Sequence, residues 1–301
     1  MCPTYLSVIT IYPNLKITLM KKAACVIAFL CTINSFAQNK IEEQTKPIVD
    51  EGKRLYKSEM ASWYGTDVFL EKYTNKGNIG GYCSYEDSGI VKCIFFSKGD
   101  DVKVIGTIAF DSTYNIQKAV IDLSERSFTP TEFNLFTIRS IALKEINNDT
   151  LFKHYKNTSL NLIPLISNNE KKVYVLTGPQ NNGVVIFGND YLLTFDSENN
   201  LISKKQLHRN IITSNYGEKT EDGKEVFGAM HTHLPETGDF ITATDICTLM
   251  LYEKFAKWKQ YMITSANYFS IWNCLSDQLT TLTNEAMDKI YKDQKKRHKN
   301  E

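Results

Sequence analysis

Two histidines separated by a single residue, His231 and His233, have the spacing of metal ligands on a β-strand. Alternate residues of a strand project from the same face, so their Cα atoms lie about 6.6 Å apart. Imidazole rings at that separation can converge on one zinc ion with bonds of about 2.1 Å. The chain contains five histidines in all. This pair is therefore the first candidate for a metal site, and an ordinary polar or core pair is the alternative.

A threonine and an aspartate downstream of the histidines supply the next candidates. Pro235 and Gly238 turn the chain into a predicted helix, and Asp245 lies in the first turn of that helix. A carboxylate there can return to the same ion, and three protein ligands leave the fourth zinc position for water, as in catalytic sites. Thr242 and Asp245 also form a capping box, which by itself accounts for both residue types.

This segment, residues 228–245, resembles the JAMM motif of MPN-type zinc metallopeptidases. The motif reads Gly-x-x-His-[Ser/Thr]-His-Pro, followed by Ser-x-x-Asp at the start of a helix. The matching residues are Gly228, His231, Thr232, His233, Thr242 and Asp245. Pro235 comes one residue late, and a single inserted loop residue accounts for both this shift and the longer spacing to the aspartate.

The resemblance implies a cofactor and a role for each residue. It implies a Zn²⁺ ion held by His231, His233 and Asp245 in an α-β-α, cytidine-deaminase-like domain. Glu170 opens a predicted strand where the family has the glutamate that takes a proton from the zinc-bound water. Thr242 replaces the family serine that stabilises the oxyanion. The implied activity is that of a hydrolase, cutting amide or isopeptide bonds of a peptide or protein substrate.

The remaining pattern predicts an α+β protein. A helical pattern from about Lys46 to Tyr73 precedes β-branched and aromatic runs within Ile79–Leu123, which polar turns separate. Thr129 and Pro130 are typical of the cap and first residue of another helix. We expect an N-terminal helix with antiparallel strands, then the JAMM/MPN-like domain, then a charged helix. The predicted boundaries are residues 38–128, 129–277 and 278–301.

The N-terminus has the features of a signal peptide over residues 1–37, with Met20 as the expected true start. Two lysines precede an apolar run from Ala23 to Ile33, and Ser35-Phe36-Ala37 has the small residues that signal peptidase requires. The apolar run is shorter than the roughly 20 residues of a membrane-spanning helix. We therefore expect an exported protein, periplasmic or secreted, with no stable membrane span in the mature chain.

The charge of the chain bears on its partners, and its cysteines bear on disulfide formation. The 35 basic and 34 acidic residues nearly cancel, which gives no electrostatic reason to expect nucleic acid as a partner. Cys83 and Cys93 flank a turn-like segment centred near Ser88, and a hairpin there predicts a disulfide. Small buried free cysteines are the alternative.

Two functions other than hydrolysis remain open. One is a non-catalytic exported module of the same fold, which binds a peptide or protein and lacks a usable glutamate near its metal. The other is a structural envelope protein without metal, in which Thr242 and Asp245 serve only as a helix cap.

Overall fold

The computed structural model describes residues 13–217 and 225–297, with side chains from Asn39 onward. The predicted signal peptide falls on residues whose side chains lie outside this described part. The chain divides into two compact units, residues 1–44 and 45–301. All contacts described below lie within the second unit. None of the helices within the described ranges combines the length and hydropathy needed to span a bilayer.

The first layer pairs the long helix α1 with an antiparallel sheet. The elements are α1 (Pro13–Lys72), β1 (Ile79–Asp87), β2 (Ile90–Ser97), β3 (Val104–Phe110) and β4 (Val120–Asp122). The strands lie side by side in chain order. Phe69 of α1 stacks on Phe95 of β2 with ring centroids 3.9 Å apart. Because β2 is buried along most of its length, apolar packing fixes the second half of α1 against this sheet.

A second helix and sheet follow. The elements are α2 (Pro130–Asn148), β5 (Thr158–Ser167), β6 (Glu170–Pro179), β7 (Val184–Gly188), β8 (Tyr191–Phe195), β9 (Leu201–Gln206) and β10 (Ile211–Asn215). Thr129 caps α2 with Pro130 in its first turn, as the sequence predicts, and Glu132 completes a capping box. The main sheet has the order β5-β6-β8-β9, and β7 pairs separately with β10.

The last part of the chain contains the histidine strand. Its elements are β11 (Gly228–Thr232), α3 (Ala243–Ala256), β12 (Gln260–Thr264), β13 (Tyr268–Asn273), β14 (Gln278–Thr283) and α4 (Asn284–Arg297). β11 and β12 are parallel and are joined through α3, whereas β12, β13 and β14 are antiparallel. A Cβ on Gly228 would lie 2.7 Å from the Gln260 carbonyl oxygen, so this close pairing requires glycine. The parallel unit brings the end of β11 to the start of α3.

The mixed architecture confirms the α+β prediction, with two corrections. Residues 278–283 form strand β14 rather than the start of the charged helix, because they pair with β13. The predicted disulfide is wrong by one residue of register. Cys83 pairs with Ile94, and Cys93 pairs with Ser84, so the two thiols lie on opposite faces of the hairpin. Both cysteines are free and buried.

Candidate metal centre

Strand β11 presents two histidines to the interior, as its spacing predicts. His231 and His233 are each 5% exposed, while Thr232 between them is exposed. The backbone N–H of His233 donates to the Thr264 carbonyl at 2.8 Å, which extends the pairing with β12 past the end of the strand. The two imidazole rings lie 5.1 Å apart between centroids.

The N-terminus of α3 supplies the carboxylate. Asp245 is fully buried and forms a capping box with Thr242. Asp245 Oδ2 accepts from the Thr242 backbone N–H at 2.9 Å and from the Thr242 hydroxyl at 2.7 Å. The positive end of the helix dipole also favours an anion at this position. The capping box and a ligand role are therefore compatible, because the cap occupies only one carboxylate oxygen.

A third histidine, which the sequence argument did not identify, completes the group. His208 follows β9, where Leu207 N–H still donates to the Asp190 carbonyl at 2.8 Å. It is 4% exposed. One potential ligand atom from each of His208, His231, His233 and Asp245 lies within 4.8 Å of all the others. We call these four residues the metal cluster. They could hold a metal ion.

Potential ligand atoms of the metal cluster lie close to one another. Nε2 of His233 lies 3.3 Å from Nε2 of His208 and 3.1 Å from Asp245 Oδ2. Asp245 Oδ1 lies 3.6 Å from Nε2 of His231 and 3.7 Å from Nε2 of His208. Tetrahedral zinc with bonds of about 2.0–2.1 Å has ligand atoms about 3.3–3.4 Å apart. The contacts of 3.1–3.7 Å involve both carboxylate oxygens of Asp245, and the four side chains converge closely enough to hold one metal ion.

Atoms without hydrogen-bond partners provide a separate test of fit. Nε2 of His231 and Oδ1 of Asp245 are buried and have no hydrogen-bond partner among the described residues. Buried polar atoms are rarely left in this state, because each unpaired one costs about 1–3 kcal/mol. These two atoms lie 3.6 Å apart, so one bound cation would satisfy both. Nδ1 of His233 is likewise buried without a partner among the described residues.

Electrostatics set the protonation of the metal cluster. Burial raises the pKa of Asp245, but the three histidines outweigh burial and hold the pKa well below its usual range. Burial lowers the pKa of His231 to about 4, helped by the neighbouring histidines. Burial also lowers the pKa of His208, yet the charge of Asp245 and the hydrogen bond to Asp190 raise it to about 9. A carboxylate and a neutral imidazole are already in ligand form, whereas His208 must lose a proton to bind a metal.

Hydrogen bonds behind the ligands orient their rings. Nδ1 of His208 lies 3.1 Å from Asp190 Oδ2, and Nδ1 of His231 lies 3.1 Å from the Tyr261 hydroxyl. Each contact leaves Nε2 directed at the metal cluster, the arrangement common in zinc sites. Asn189 fixes the loop that carries Asp190, because its side-chain amide donates to Thr177 Oγ1 at 2.9 Å.

Glu170, the expected general base, lies away from the metal cluster. Its side chain is 65% exposed and pairs with Lys172 at 2.7 Å. Tyr191, the neighbour of Asp190, pairs with Val175 of β6. Glu170 lies five residues before Val175 on β6. The Cα atoms of these two residues are therefore about 17 Å apart, at 3.3 Å per residue. The strand starts where the sequence predicts, but its other end approaches the histidines.

The hydroxyl of Thr242, the expected oxyanion donor, already donates its proton to Asp245. Its hydroxyl accepts from Asp245 N–H at 3.1 Å and donates to Asp245 Oδ2 at 2.7 Å. A hydroxyl has one proton. While that proton holds the carboxylate in place, it is not available to a developing oxyanion.

His208 had no local signal in the sequence. It stands alone in Gln206-Leu207-His208-Arg209, without another histidine or acid at ligand spacing. Only the pairing of β8 with β9 brings it beside Asp190 and the end of β11.

Comparison of the chain with protein-family models, curated proteins and solved structures finds no match. The chemistry of the centre is therefore interpreted from its own geometry.

Proposed function

We propose that this protein is a zinc-stabilised binding module and not a peptidase. The observation that carries the proposal is the position of His208. Its Nε2 lies 3.3 Å from Nε2 of His233 and 3.7 Å from Oδ1 of Asp245, so His208 is available as a fourth ligand, in place of the water that a catalytic zinc site binds. A zinc ion with four protein ligands has no open position for water, which is the feature that structural zinc sites share.

Charge balance supports a divalent cation at this centre. Asp245 and Asp190 are both buried, and buried charges are tolerated only when they are paired or bind a metal. With three neutral imidazoles, the two carboxylates supply two negative charges, which equal the charge of the ion. Imidazole-rich tetrahedral sites favour zinc over calcium or magnesium, which prefer six or more oxygen ligands.

The peptidase alternative rests on the JAMM resemblance, which is strongest at His231, His233 and Asp245. Those residues account for metal binding, but hydrolysis also requires an open metal position and a base beside the bound water. Glu170 is exposed and paired with Lys172, and Thr242 is bonded to Asp245. We therefore propose a JAMM/MPN-like fold that binds metal and does not hydrolyse peptides.

Export is a further part of the proposal. The signal-like segment ending at Ala37 supports a periplasmic or secreted location, where the module would bind its partner outside the cytoplasm. Intact mass of protein recovered from outside the cytoplasm tests this part. A chain beginning at Gln38 is the expected result, and one that retains residues 20–37 contradicts it.

Zinc content and zinc affinity test the role of His208. Purified protein should contain one zinc per chain, and His208→Ala should weaken zinc binding at least a hundredfold in competition with a chromophoric chelator. His154→Ala is the matched control, because His154 is exposed. If His208→Ala binds zinc as tightly as the unaltered protein, three ligands suffice and the structural assignment is wrong.

An activity assay on the same samples separates the two functions. The zinc-loaded protein should not hydrolyse a mixed peptide library above the rate of a His231→Ala/His233→Ala double variant. Zinc-dependent cleavage that disappears in Glu170→Gln, with zinc retained, would restore the peptidase interpretation.

A further inference from the structure

A cavity of about 410 Å³ lies between α1 and α3, apart from the metal cluster. Each helix contributes one face, at positions i, i+3, i+4 and i+7, which adjoin one another on a helix. The α1 residues are Glu59, Ser62, Trp63 and Thr66. The α3 residues are Thr248, Leu251, Tyr252 and Phe255. The volume falls within the range of small-molecule pockets, about 300–1,000 Å³. We call this cavity the aromatic pocket.

Aromatic rings form much of its wall. Trp63 and Phe255 stack at a centroid distance of 6.2 Å. They remain 45% and 57% exposed, although large apolar side chains at such positions usually cover one another. Tyr82 and Tyr252 line the cavity as well. Ring faces carry negative electrostatic potential and attract cations, most strongly when the cation is removed from water.

Acidic side chains line the same cavity. Glu59 and Asp67 are both part of the wall, and none of the described residues that line it is basic. Glu59 forms no ion pair and no hydrogen bond with any residue in the described ranges, which contrasts with the paired carboxylates elsewhere in the fold. Burial raises the pKa of Glu59 to about 7, and Arg139 opposes this only at longer range. Glu59 is half-buried at the wall of the cavity, so its carboxylate is accessible to a cationic ligand that would pair with it.

We propose that the aromatic pocket binds a small organic cation, an amine or quaternary ammonium group, with its charge beside Glu59 and its apolar part against Trp63 and Phe255. The inference names a ligand class for the binding role proposed above. It rests on a different cavity, because none of the four metal-cluster residues lines the pocket. An anion is disfavoured by the two carboxylates, and a neutral ligand would leave Glu59 unpaired.

Choline and its uncharged isostere 3,3-dimethylbutan-1-ol provide matched probes, since they differ mainly in the charge of one central atom. Titration of the zinc-loaded protein, followed by tryptophan fluorescence and by calorimetry at pH 8, should give at least tenfold tighter binding for choline. Equal affinities, or no binding of choline at 10 mM, would overturn the proposal.

Variants locate the binding. Glu59→Gln keeps the shape of the side chain and should weaken choline binding at least tenfold without changing the affinity for the isostere. Glu71→Gln is the control, because Glu71 is on the same helix with its side chain 74% exposed. Trp63→Ala should weaken both probes. Unchanged choline affinity in Glu59→Gln contradicts the assignment.

Zinc content measured on the same samples keeps this test separate from that of the proposed function. Choline binding that survives in a zinc-free but folded His208→Ala protein would support the pocket and count against a structural metal. Full zinc occupancy without choline binding would do the reverse.

Discussion

The metal cluster and the aromatic pocket share helix α3 but handle buried charge in opposite ways. In the metal cluster, Asp245 has three imidazoles within 4.8 Å and hydrogen bonds from its own helix cap. In the aromatic pocket, Glu59 faces a cavity and has no pairing group among the residues that the structure describes. The first arrangement lowers the pKa of its carboxyl group, and the second raises it.

This difference separates a group that stabilises the fold from one that a ligand would complete. A carboxylate whose pKa is lowered favours the folded state at neutral pH, whereas one whose pKa is raised disfavours it. Strongly perturbed pKa values of either direction cluster at functional sites. A stabilising carboxylate among potential metal ligands fits a structural role for the metal cluster, and a destabilising carboxylate at an open cavity fits recognition of a cation.

The largest expected effect is that of metal removal. Chelation should lower the free energy of unfolding by about 4 kcal/mol, compared with protein in zinc at 1,000 times its Kd. Urea unfolding with and without zinc measures the difference. His233→Ala should be insensitive to zinc, and His154→Ala should respond like the unaltered protein. Equal stability with and without zinc would mean that the centre is not structural.

The next largest effect is expected for Glu59→Gln, which should stabilise the folded protein. The pKa of Glu59 is about 7 in the folded protein against an ordinary value of 4.5, so the folded state binds more protons between these values and stability falls as pH rises through them. Glu59→Gln removes this cost. It should raise the free energy of unfolding by about 3 kcal/mol at pH 8 and leave it unchanged at pH 4.

Titratable neighbours of Glu59 must be compared in the same experiment. Those that act on it or respond to it are Tyr82, Cys93, Arg139, Cys247 and Tyr252. The neighbours with a raised pKa titrate above pH 8, so they do not change the pH dependence of stability between pH 4 and 8. They are Tyr82, Cys93, Cys247 and Tyr252. A stabilisation of equal size at both pH values would show that the effect is packing and not charge.

The sequence predicted the local features of the site but not how its strands pair. Local patterns identified His231, His233, the capping box of Thr242 with Asp245 and the start of α2 at Thr129, because each depends on residues a few positions apart. The strand start at Glu170 was also correct, but the direction in which β6 approaches the histidines depends on pairing with β8. That pairing is a property of the whole sheet.

His208 and the aromatic pocket illustrate the same limit. His208 joins the metal cluster only because the β8–β9 hairpin folds back beside β11. The α1 stripe that contains Trp63 has the spacing of a core face, yet its ring is 45% exposed at the pocket. Helical periodicity predicts which residues share a face, and it does not predict what, if anything, covers that face.

The hydrogen bond between Asp190 and His208 should have a moderate effect. Asp190→Asn keeps the size of the side chain but removes the charge behind the imidazole, which should weaken zinc binding about 10–100-fold. Asp100→Asn, at an exposed turn, is the control. If Asp190→Asn leaves zinc affinity unchanged, His208 is not a ligand in the way proposed, and the comparison with the pocket loses its strongest support.

The smallest effect uses the two capping boxes of the chain as internal controls for each other. Thr129 caps α2 with Glu132, and Thr242 caps α3 with Asp245. Replacing either threonine with alanine should cost about 1 kcal/mol in the metal-free protein. Only Thr242→Ala should also weaken zinc binding, by about tenfold, because its hydroxyl holds a ligand carboxylate at 2.7 Å. Thr242→Ser keeps the hydroxyl and should restore both properties; a matching loss of zinc affinity in Thr129→Ala would mean that general destabilisation, not orientation of Asp245, is responsible.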